Sequence, residues 1–418
     1  MKKVLFITYF WPPSGKASLH WPLAMIKHLP KFGWQPSVLT VKEETFTAPD
    51  NSLLNEIDEN IEVIKTKTFE PFNIYKKFIG KNKDEQLKAS ETISQTNKSL
   101  THRISIWIRM NLFIPDARVG WWLFAVNYGN KYLRKNKFDA VISVGPPHTA
   151  HLVGNSLSSK FNIPHIPVFI DPWVDIIYYK NFKRSKITLT IDNYLEKKVL
   201  RNCKRAVFVT KTMEEDYRKK YDFLKSKTGI LYWGYSEKYF GDLITEKENT
   251  EEITIVHAGN IFDYQNPKEF WKELKRKINS GEKIKIKFIG TVGPVIKQTI
   301  NEIGLSEFTE YLGFLSYKEM LKHLSQASYL LVCATERRHL PGKLFEYLRI
   351  GKPIIAFGDD NEELKKIIED AGAGKLYKYS DTAEDIFDKG NSFIFDKNKI
   401  EIYERKNIAK GLSGILER

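Results

Sequence analysis

Apolar positions in the first part of the chain switch between strand-like runs and helix-like spacing. The segment KKVLFITYF is rich in β-forming residues and is followed by the turn-rich loop WPPSGKASLHW. The next segment, PLAMIKHLPKFG, carries apolar residues at helical spacing up to Gly33, and WQPSVLTV is strand-like again. A strand, a helix and a strand in this order predict a β-α-β unit, the building block of a parallel sheet.

The alternation continues to about residue 240 and restarts after a polar stretch. Further strands are predicted for FDAVISVG, HIPVFID and RAVFVTK. Residues 73–102 are polar and lysine-rich, so we expect a surface excursion there. Residues 235–252 contain TEKENTEE and indicate an interdomain linker. Beyond this linker, a second set of strands is predicted for EITIVHAG, IKIKFIG, SYLLVCAT and PIIAFG.

These patterns predict an α/β fold with two Rossmann-like, doubly wound domains. We place the N-terminal domain at residues 1–240, the C-terminal domain at residues 250–398 and a terminal helix at residues 399–418. Ligands of doubly wound sheets bind outside the carboxyl ends of the strands. We therefore expect the two domains to face a cleft that holds the ligand.

Composition narrows the compartment and the kind of partner. The two cysteines, Cys203 and Cys333, lie far apart and outside any CxxC pair, which argues against a disulfide framework and favours a reducing compartment. The short apolar run after the first lysines indicates a strand rather than a signal peptide. The formal net charge of +15 indicates an anionic partner, which could be nucleic acid, anionic lipid or a phosphorylated substrate.

Several segments follow one another in an order that is typical of one enzyme family. They are FIPDARVGWW, DAVISVGPPHTAHLVG, IPHIPVFIDPW, VFVTKTMEEDY, HAGN and LPGKLFEYLRIGKPIIAF. Through them the chain resembles the GT4-type glycosyltransferases of bacterial surface-polysaccharide assembly over nearly its whole length. The resemblance implies a GT-B fold and a retaining transfer from a nucleotide diphosphate sugar. It implies a donor site in the C-terminal domain, an acceptor site in the N-terminal domain, a last helix that crosses back, and no metal.

The segment LPGKLFEYLRIGKP carries the strongest candidate site. Pro341 and Gly342 precede a helix predicted to begin near Lys343, and the free N–H groups at a helix start suit a diphosphate. Glu346 lies one turn further, where a carboxylate can bind both hydroxyls of a ribose, the role that the resemblance implies. Residue types alone also fit an amphipathic helix with a solvent-exposed lysine and glutamate.

The loop before this helix contains the sequence ERRHL. Members of the family often carry a sugar-contacting glutamate at the position of Arg338, and Glu336 could replace it. Arg337 and Arg338 could instead pair with the diphosphate, because a guanidinium group matches phosphate oxygens. A basic surface loop explains the same residues equally well.

Two further segments are candidates for contact with the donor. HAGNIFDYQN falls where relatives place a basic residue on the phosphates, and here it offers the amides of Asn260, Gln265 and Asn266. Gly259 permits a close backbone approach, although a turn at a strand end fits it equally. The loop PPSGK resembles a family loop that lies against sugar and phosphate. Its candidate donor-binding residues are Gly15 and Lys16, unless Lys16 is a surface lysine.

Asp171 and His148 are the candidate catalytic residues. Asp171 follows a predicted strand and could orient an acceptor hydroxyl, but it could also cap a helix or bond a loop. His148 follows a strand and two prolines and is favoured over His151, although a structural role suits either histidine. Retaining transfer requires no triad, because the leaving diphosphate can accept the proton. The sequence has no DxD metal site and no GxGxxG loop.

Basic and aromatic residues are concentrated in residues 102–138. Asp116 is the only acid among basic residues that alternate with Trp, Phe and Ile, namely Arg103, Arg109, Arg118, Lys131, Arg134, Lys135 and Lys137. This mixture suits an anionic membrane interface, single-stranded nucleic acid or ordinary helix packing. Because the glycosyltransferase segments are present, we favour the membrane and expect no nucleic acid.

The sequence therefore predicts a cytoplasmic glycosyltransferase, peripheral on the inner face of the cell membrane. It moves a sugar from a nucleotide diphosphate sugar, with UDP as the expected nucleotide, to a hydroxyl of a lipid-linked or glycan acceptor. Beyond this co-substrate no cofactor is expected. Departures from the family pattern at Lys16, Ala17, Trp21, Ile170, Gln265 and Arg338 leave a catalytically degenerate scaffold or partner subunit as one alternative. A nucleotide-sugar epimerase is the second alternative.

Overall fold

The computed structural model describes residues 1–43, 50–69, 100–176, 179, 182–241, 252–388 and 393–418. Most of the excursion expected at residues 73–102, and residues 242–251 of the expected linker, lie outside the described residues. The described residues divide into two compact units. The first unit contains Met1–Leu231 together with Ala409–Arg418, and the second contains Tyr232–Ile408.

The first unit is built on a seven-stranded parallel sheet with strand order β3-β2-β1-β4-β5-β6-β7. Its strands are β1 Lys2–Ile7, β2 Trp34–Val41, β3 Glu62–Thr66, β4 Ala140–Gly145, β5 His165–Phe169, β6 Ala206–Phe208 and β7 Thr228–Ile230. Strands β4 and β5 are buried along their whole length, as both faces of a parallel sheet are covered. This sheet is the first of the two that the alternating pattern predicts.

Along the chain, the helices of the first unit alternate with these strands. They are α1 His20–His28, α2 Leu100–Leu112, α3 Trp121–Leu133, α4 Thr149–Phe161, α5 Lys186–Asn202 and α6 Lys211–Lys220. Helix α5 begins after Ser185, whose hydroxyl accepts a hydrogen bond from the Thr188 N–H. The core combines apolar residues of β1, β2 and β4 with the inner faces of α3 and α4.

The second unit is built on a six-stranded parallel sheet with strand order β10-β9-β8-β11-β12-β13. Its strands are β8 Ile253–Ala258, β9 Ile284–Ile289, β10 Thr309–Gly313, β11 Tyr329–Cys333, β12 Ile354–Phe357 and β13 Gly374–Tyr377. Two apolar cores lie against this sheet, and one of them includes Tyr235 and Phe240. The doubly wound fold class predicted from the sequence is confirmed in both units.

Helices of the second unit are α7 Lys268–Asn279, α8 Pro294–Glu302, α9 Tyr317–Ser325, α10 Lys343–Ile350, α11 Glu362–Asp370 and α12 Lys397–Glu401. The last helix, α13 Arg405–Glu417, starts in the second unit, and from Ala409 onwards it belongs to the first. In the first unit the Trp34 indole N–H donates to Glu417 Oε1 at 3.1 Å. The last helix therefore returns to the N-terminal domain, as the resemblance implied.

Each sheet changes winding direction at one place, and the candidate site residues follow the strands there. In the first unit the order reverses between β1 and β4, and in the second between β8 and β11. Gly15 and Lys16 come after β1, and His148 comes after β4. Gly259 comes after β8. The carboxyl edge at such a switch point is where doubly wound sheets bind ligands.

Within the described ranges no helix is both long enough and apolar enough to cross a membrane.

Candidate functional site

Lys343 is the first residue of α10, so its side chain leaves the helix beside N–H groups that the helix itself does not pair. Gly342 precedes it. A Cβ atom at Gly342 would lie only 2.9 Å from the indole Nε1 of Trp233, so a side chain there would displace the neighbouring ring. The helix dipole and the lysine give this end of α10 a positive potential that suits an anion.

The side chain of His257, on β8, forms a hydrogen bond with the Lys343 ammonium group. The two nitrogens, Lys343 Nζ and His257 Nε2, are 2.9 Å apart. The other ring nitrogen, Nδ1, is 2.9 Å from the carbonyl oxygen of Leu331, so Nδ1 carries the proton and Nε2 accepts from the lysine. Burial lowers the pKa of His257 well below its usual value, and the charge of Lys343 lowers it further. The imidazole is therefore neutral.

Burial also changes the titration of Lys343 itself. It lowers the pKa of this amine to about 8, against the attraction of the carboxyl group of Glu346. Near neutral pH the group remains mostly charged. A partly desolvated cation of this kind interacts more strongly with an anionic ligand than a surface lysine does.

Gly259 and Asn260 lie at the end of β8, next to this lysine. Gly259 has φ +98°, and a Cβ atom there would lie 3.1 Å from Lys343 Nζ. A side chain at this position would crowd the ammonium group, and the positive φ itself favours glycine. Asn260 is exposed, and its Oδ1 accepts a long hydrogen bond of 3.4 Å from the Thr291 N–H.

Glu346 is buried one turn further along α10. The Tyr317 hydroxyl donates to its Oε1 at 3.4 Å, and Arg405 Nη2 lies 3.8 Å from the same oxygen. Burial raises the pKa of Glu346, and the positive charge of Arg405 opposes this rise. Tyr317 and Arg405 come from distant parts of the second unit, and the sequence reasoning missed both of them, as it missed His257.

The loop after β11 carries the two candidate arginines. Arg338 pairs with Glu336, with Nε–Oε1 and Nη2–Oε2 distances of 3.2 and 3.1 Å. Arg337 is exposed. His339 stabilises the conformation of this loop, because its Nδ1 accepts a hydrogen bond from the Thr335 N–H at 2.9 Å. Glu336 and Arg338 thus balance each other's charge.

The side-chain amides at the positions where relatives carry a basic residue form structural hydrogen bonds. Gln265 is buried, and its Nε2 donates to the carbonyl oxygen of Cys333 at 2.7 Å. Its Oε1 accepts from the Phe262 N–H at 2.9 Å. Asn266 donates to Thr299 Oγ1 at 2.9 Å. Gln265 therefore ties the loop after β8 to the end of β11.

In the first unit, three histidines are buried close together: two of them flank Ser143, and the third, His148, packs against the ring of His151. The Ser143 hydroxyl lies 2.8 Å from His151 Nδ1 and 2.7 Å from His165 Nε2. His148 stacks on Trp173 with ring centroids 5.1 Å apart and planes 5° from parallel, and neither of its nitrogens has a hydrogen bond of normal geometry. Burial lowers the pKa of His148 and of His165 to about 3. These imidazoles are neutral.

These histidines do not form a metal centre. Among the residues that the structure describes, no group of three or more His, Cys, Asp and Glu side chains is arranged to hold a metal ion.

Asp171 lies close to the same edge of the sheet as His148. The Ile170 N–H between β5 and Asp171 donates to the Gly145 carbonyl oxygen at 2.9 Å, so the ends of β4 and β5 stay paired. Asp171 is half-buried. The structure thus brings the two candidate catalytic residues to neighbouring strand ends.

The loop after β1 presents Gly15 at the surface and Lys16 half-buried. Burial lowers the pKa of Lys16, and the positive charge of Arg118 adds to this effect. Burial likewise lowers the pKa of Arg118, whose guanidinium lies 5.1 Å from the centre of the Tyr9 ring. Two cations are thereby held near each other at the carboxyl edge of β1.

The basic-aromatic segment at residues 102–138 divides into a buried and an exposed part. Trp121 is completely buried, and its indole N–H donates to Thr66 Oγ1 at 2.8 Å. Met110 is also buried, so ordinary helix packing accounts for both side chains. Trp107 and Phe124 are exposed. The side chain of Arg103 lies outside the described part of the chain.

Comparison with known families and sequences gives one match. Residues 243–410 match the family model described as "Glycosyl transferases group 1". No curated protein sequence matches the chain significantly.

Solved structures resemble the chain over its whole length. Sucrose-phosphate synthase from Thermosynechococcus elongatus has a TM-score of 0.63 at 13% identity, covering 100% of this chain and 98% of that one. Anabaena Alr3699/HepE in complex with UDP has a TM-score of 0.62 at 12% identity, covering 100% of both chains. The lipopolysaccharide outer core galactosyltransferase WaaB, in its apo form, has a TM-score of 0.58 at 13% identity, covering 99% of each chain. At such identities the likeness is one of fold.

Proposed function

We propose that this glycosyltransferase, whose residues 243–410 match the family model of glycosyl transferases group 1, uses a UDP-sugar as its donor. The sugar moves with retention of anomeric configuration, and no metal takes part. The acceptor is a hydroxyl of a lipid-linked or glycan molecule. Anabaena Alr3699/HepE, which shares the fold, was solved with UDP and with UDP-glucose, and this supports UDP as the nucleotide.

One observation carries the proposal: the Lys343 ammonium group, the start of α10 and the close-approaching Gly259 backbone share one edge of the second sheet. The ammonium group is oriented by His257 at 2.9 Å, and Gly259 has the positive φ that a tight approach needs. A diphosphate placed there meets a fixed charge and a helix dipole. The carboxylate of Glu346, one turn on, is then suited to the two ribose hydroxyls of the nucleoside.

The transfer requires one bond to form and one to break at the anomeric carbon. The bond to the diphosphate oxygen breaks, and the acceptor oxygen forms its bond on the same face of the sugar. The acceptor proton passes to the leaving diphosphate, which gains negative charge as it departs. Lys343 stabilises that developing charge, and the protein otherwise contributes orientation.

The first unit supplies the acceptor side in this proposal. Asp171 orients the acceptor hydroxyl from the end of β5, and His148 contributes a neutral imidazole beside it. The exposed part of residues 102–138, including Trp107 and Phe124, contacts an anionic membrane surface and keeps the enzyme at the inner face of the cell membrane. A lipid-linked acceptor resides at the same surface.

Glu346→Ala is expected to weaken UDP-sugar binding at least tenfold, about 1.4 kcal/mol, because the ribose hydroxyls lose a charged acceptor. Isothermal titration calorimetry with UDP, GDP and their common sugars measures this change. The matched control is Glu362→Ala, which removes an exposed glutamate from the first turn of α11 in the same unit. It should bind as the wild type does.

The same titration tests the scaffold alternative, and incubation of the protein with a nucleotide sugar alone tests the epimerase alternative. If the protein is folded and monodisperse but binds no nucleotide sugar, the proposed donor site is rejected. A role as a scaffold or partner subunit is then favoured. If the protein converts one nucleotide sugar into its epimer without any acceptor, the activity is that of an epimerase.

A further inference from the structure

Helix α5 carries an apolar stripe on its outer face. Ile187, Ile191 and Tyr194 are 73%, 43% and 61% exposed. Residues at positions i, i+4 and i+7 share one face of an α-helix, so these side chains form one continuous strip. A stripe of large apolar side chains on the surface marks a site of interaction with another molecule or with a membrane.

Both acidic residues of α5 point inward. Asp192 pairs with Arg184 and accepts from the Trp173 indole N–H at 2.7 Å. Glu196 accepts from the hydroxyls of Tyr217 and Tyr221, both at 2.8 Å. No negative charge of this helix therefore reaches its outer face.

The charges on the outer face of α5 are all positive. They belong to the exposed side chains of Lys186, Lys197, Lys198 and Arg201. The ammonium group of Lys198 lies 6.0 Å from the centre of the Tyr194 ring, so the cations border the apolar stripe directly. Cations beside a stripe of Ile and Tyr are typical of helices that lie in the interface of anionic membranes.

Helix α2 extends this surface, because Asn111 joins the end of α2 to the start of α5. Its Oδ1 accepts from the Ser185 N–H at 2.6 Å, and its carbonyl oxygen accepts from the Thr188 hydroxyl at 3.2 Å. Near this junction α2 exposes Trp107 and Leu112, at 51% and 62%. We call Trp107, Leu112, Ile187, Ile191 and Tyr194 the α2–α5 surface.

We propose that the α2–α5 surface binds an anionic lipid bilayer, with its apolar side chains among the headgroups and its cations on anionic phosphates. Helix α5 lies outside residues 102–138, so the membrane contact includes a part of the chain that the basic-aromatic segment does not contain. The proposal rests on the peripheral membrane location proposed above and specifies the element that provides it. A lipid phosphate layer complements the charge of this surface.

A second copy of the chain fits the same surface less well. A two-fold symmetric contact would place this surface against itself. The four cations of α5 would then face their own copies, with no acidic residue of α5 between them. An anionic bilayer has no such repulsion, and the chain as a whole carries a net charge of +15.

The experiment is co-sedimentation of the full chain with vesicles of phosphatidylglycerol and phosphatidylcholine, and with vesicles of phosphatidylcholine alone. We expect at least tenfold stronger binding to the anionic vesicles, weakening as salt is raised. The double variant Ile187→Glu/Ile191→Glu should bind anionic vesicles at least tenfold more weakly than the wild type. Both side chains are exposed, so the variant should fold with an unchanged melting temperature.

The matched control is Ile394→Glu/Ile402→Glu, because these isoleucines are also exposed but lie in the second unit. It should bind vesicles as the wild type does. The proposal is overturned if the wild type does not prefer anionic vesicles, or if the α5 double variant binds them undiminished. It is also overturned if the wild type forms a dimer that the α5 variant abolishes while vesicle binding is absent.

UDP-sugar binding, measured on the same preparations, keeps the two proposals apart. The α5 double variant should bind the nucleotide sugar as the wild type does, because the substitutions lie in the other unit from Lys343 and Glu346. If the α5 double variant loses vesicle binding and keeps nucleotide binding, the membrane surface is supported and the proposed donor site is unaffected. Vesicle binding without any nucleotide binding would leave the membrane surface in place and reject the proposed donor.

Discussion

Replacing Lys343 with methionine is expected to lower kcat/KM for sugar transfer roughly 10²–10³-fold, the usual cost of removing a group that stabilises developing charge. Methionine retains the apolar stem and removes the ammonium group that lies 2.9 Å from His257 Nε2. Because the diphosphate gains charge as it leaves, much of the loss should fall on kcat. Steady-state kinetics over a range of UDP-sugar concentrations separates the effects on kcat and KM.

Lys268→Met is the matched control for this substitution. Lys268 is also the first residue of a helix in the second unit, α7, but its side chain is exposed. Its removal should leave kcat and KM unchanged. If Lys343→Met keeps a kcat within about threefold of the wild type, Lys343 does not act on the transition state.

The pH profile of the wild-type enzyme should report the same ammonium group. Burial lowers the pKa of Lys343 to about 8, so in the free enzyme the group is charged below pH 8 and neutral above it. An uncharged amine attracts the diphosphate less, and kcat/KM should therefore fall about tenfold per unit as the pH rises above 8. Lys343→Met lacks the titrating group, so its profile should be flat in that range.

Much of the fold follows from local patterns in the sequence. Strand-like runs separated by helical spacing are what a doubly wound sheet requires, and both the fold class and the resemblance to GT-B glycosyltransferases are confirmed. The exact boundary between the two units is harder to predict from the sequence. Tyr235 and Phe240 lie within residues 235–252, which the sequence indicates as a linker, yet both pack in the core of the second unit. Nothing local distinguishes an apolar residue of a linker from one in a core.

The candidate donor residues were accessible to sequence reasoning where they are neighbours along the chain. Gly342, Lys343 and Glu346 occupy one helical turn, so their spacing alone predicts a common edge. His257 is 86 positions from Lys343 and lies on a buried strand, where a histidine is ordinarily a core residue. Arg405 meets Glu346 only because the start of α13 belongs to the second unit. Such contacts depend on tertiary structure, which a single sequence does not encode locally.

The basic-aromatic segment illustrates the same point for surfaces. Composition cannot distinguish a tryptophan in a core from one in a membrane interface, because both patterns place large apolar side chains at helical spacing. In the structure Trp121 is buried and Trp107 is exposed. The sequence of α5 does not reveal its apolar stripe, because Asp192 and Glu196 stand among the four basic residues of the helix, although both acids are buried and paired.

Acidification is expected to destabilise the first unit, and His148→Phe should relieve part of the effect. Burial lowers the pKa of His148 from 6.5 to about 3, so between these values the unfolded chain binds a proton that the folded chain excludes. The free energy of unfolding therefore falls as the pH falls, by about 1.4 kcal/mol per unit for this group. At pH 4.5 the loss of unfolding free energy caused by His148 reaches about 3 kcal/mol, a large part of the stability of an ordinary domain. His165, whose pKa burial likewise lowers to about 3, should add a similar amount.

Phenylalanine is suited to this test because it preserves the stack on Trp173, while the polar contact that it removes is the one with the backbone of Pro172. Native-state hydrogen exchange of the β4 and β5 amides, corrected for intrinsic rates, reads the opening free energy of this unit. The two proteins should be similar in opening free energy at pH 7, and the variant should be about 3 kcal/mol more stable than the wild type at pH 4.5.

His323→Phe in the second unit is the control, and it should leave the pH dependence of these amides unchanged. The carboxyl group of Asp116, which accepts from the Thr149 N–H at the start of α4, titrates in both proteins and cancels from the comparison. Equal pH slopes for the wild type and His148→Phe would mean that His148 can take up a proton within the fold. The imidazole would then have access to water at the carboxyl edge of β4, where the acceptor is proposed to lie, and His148 could exchange protons with it.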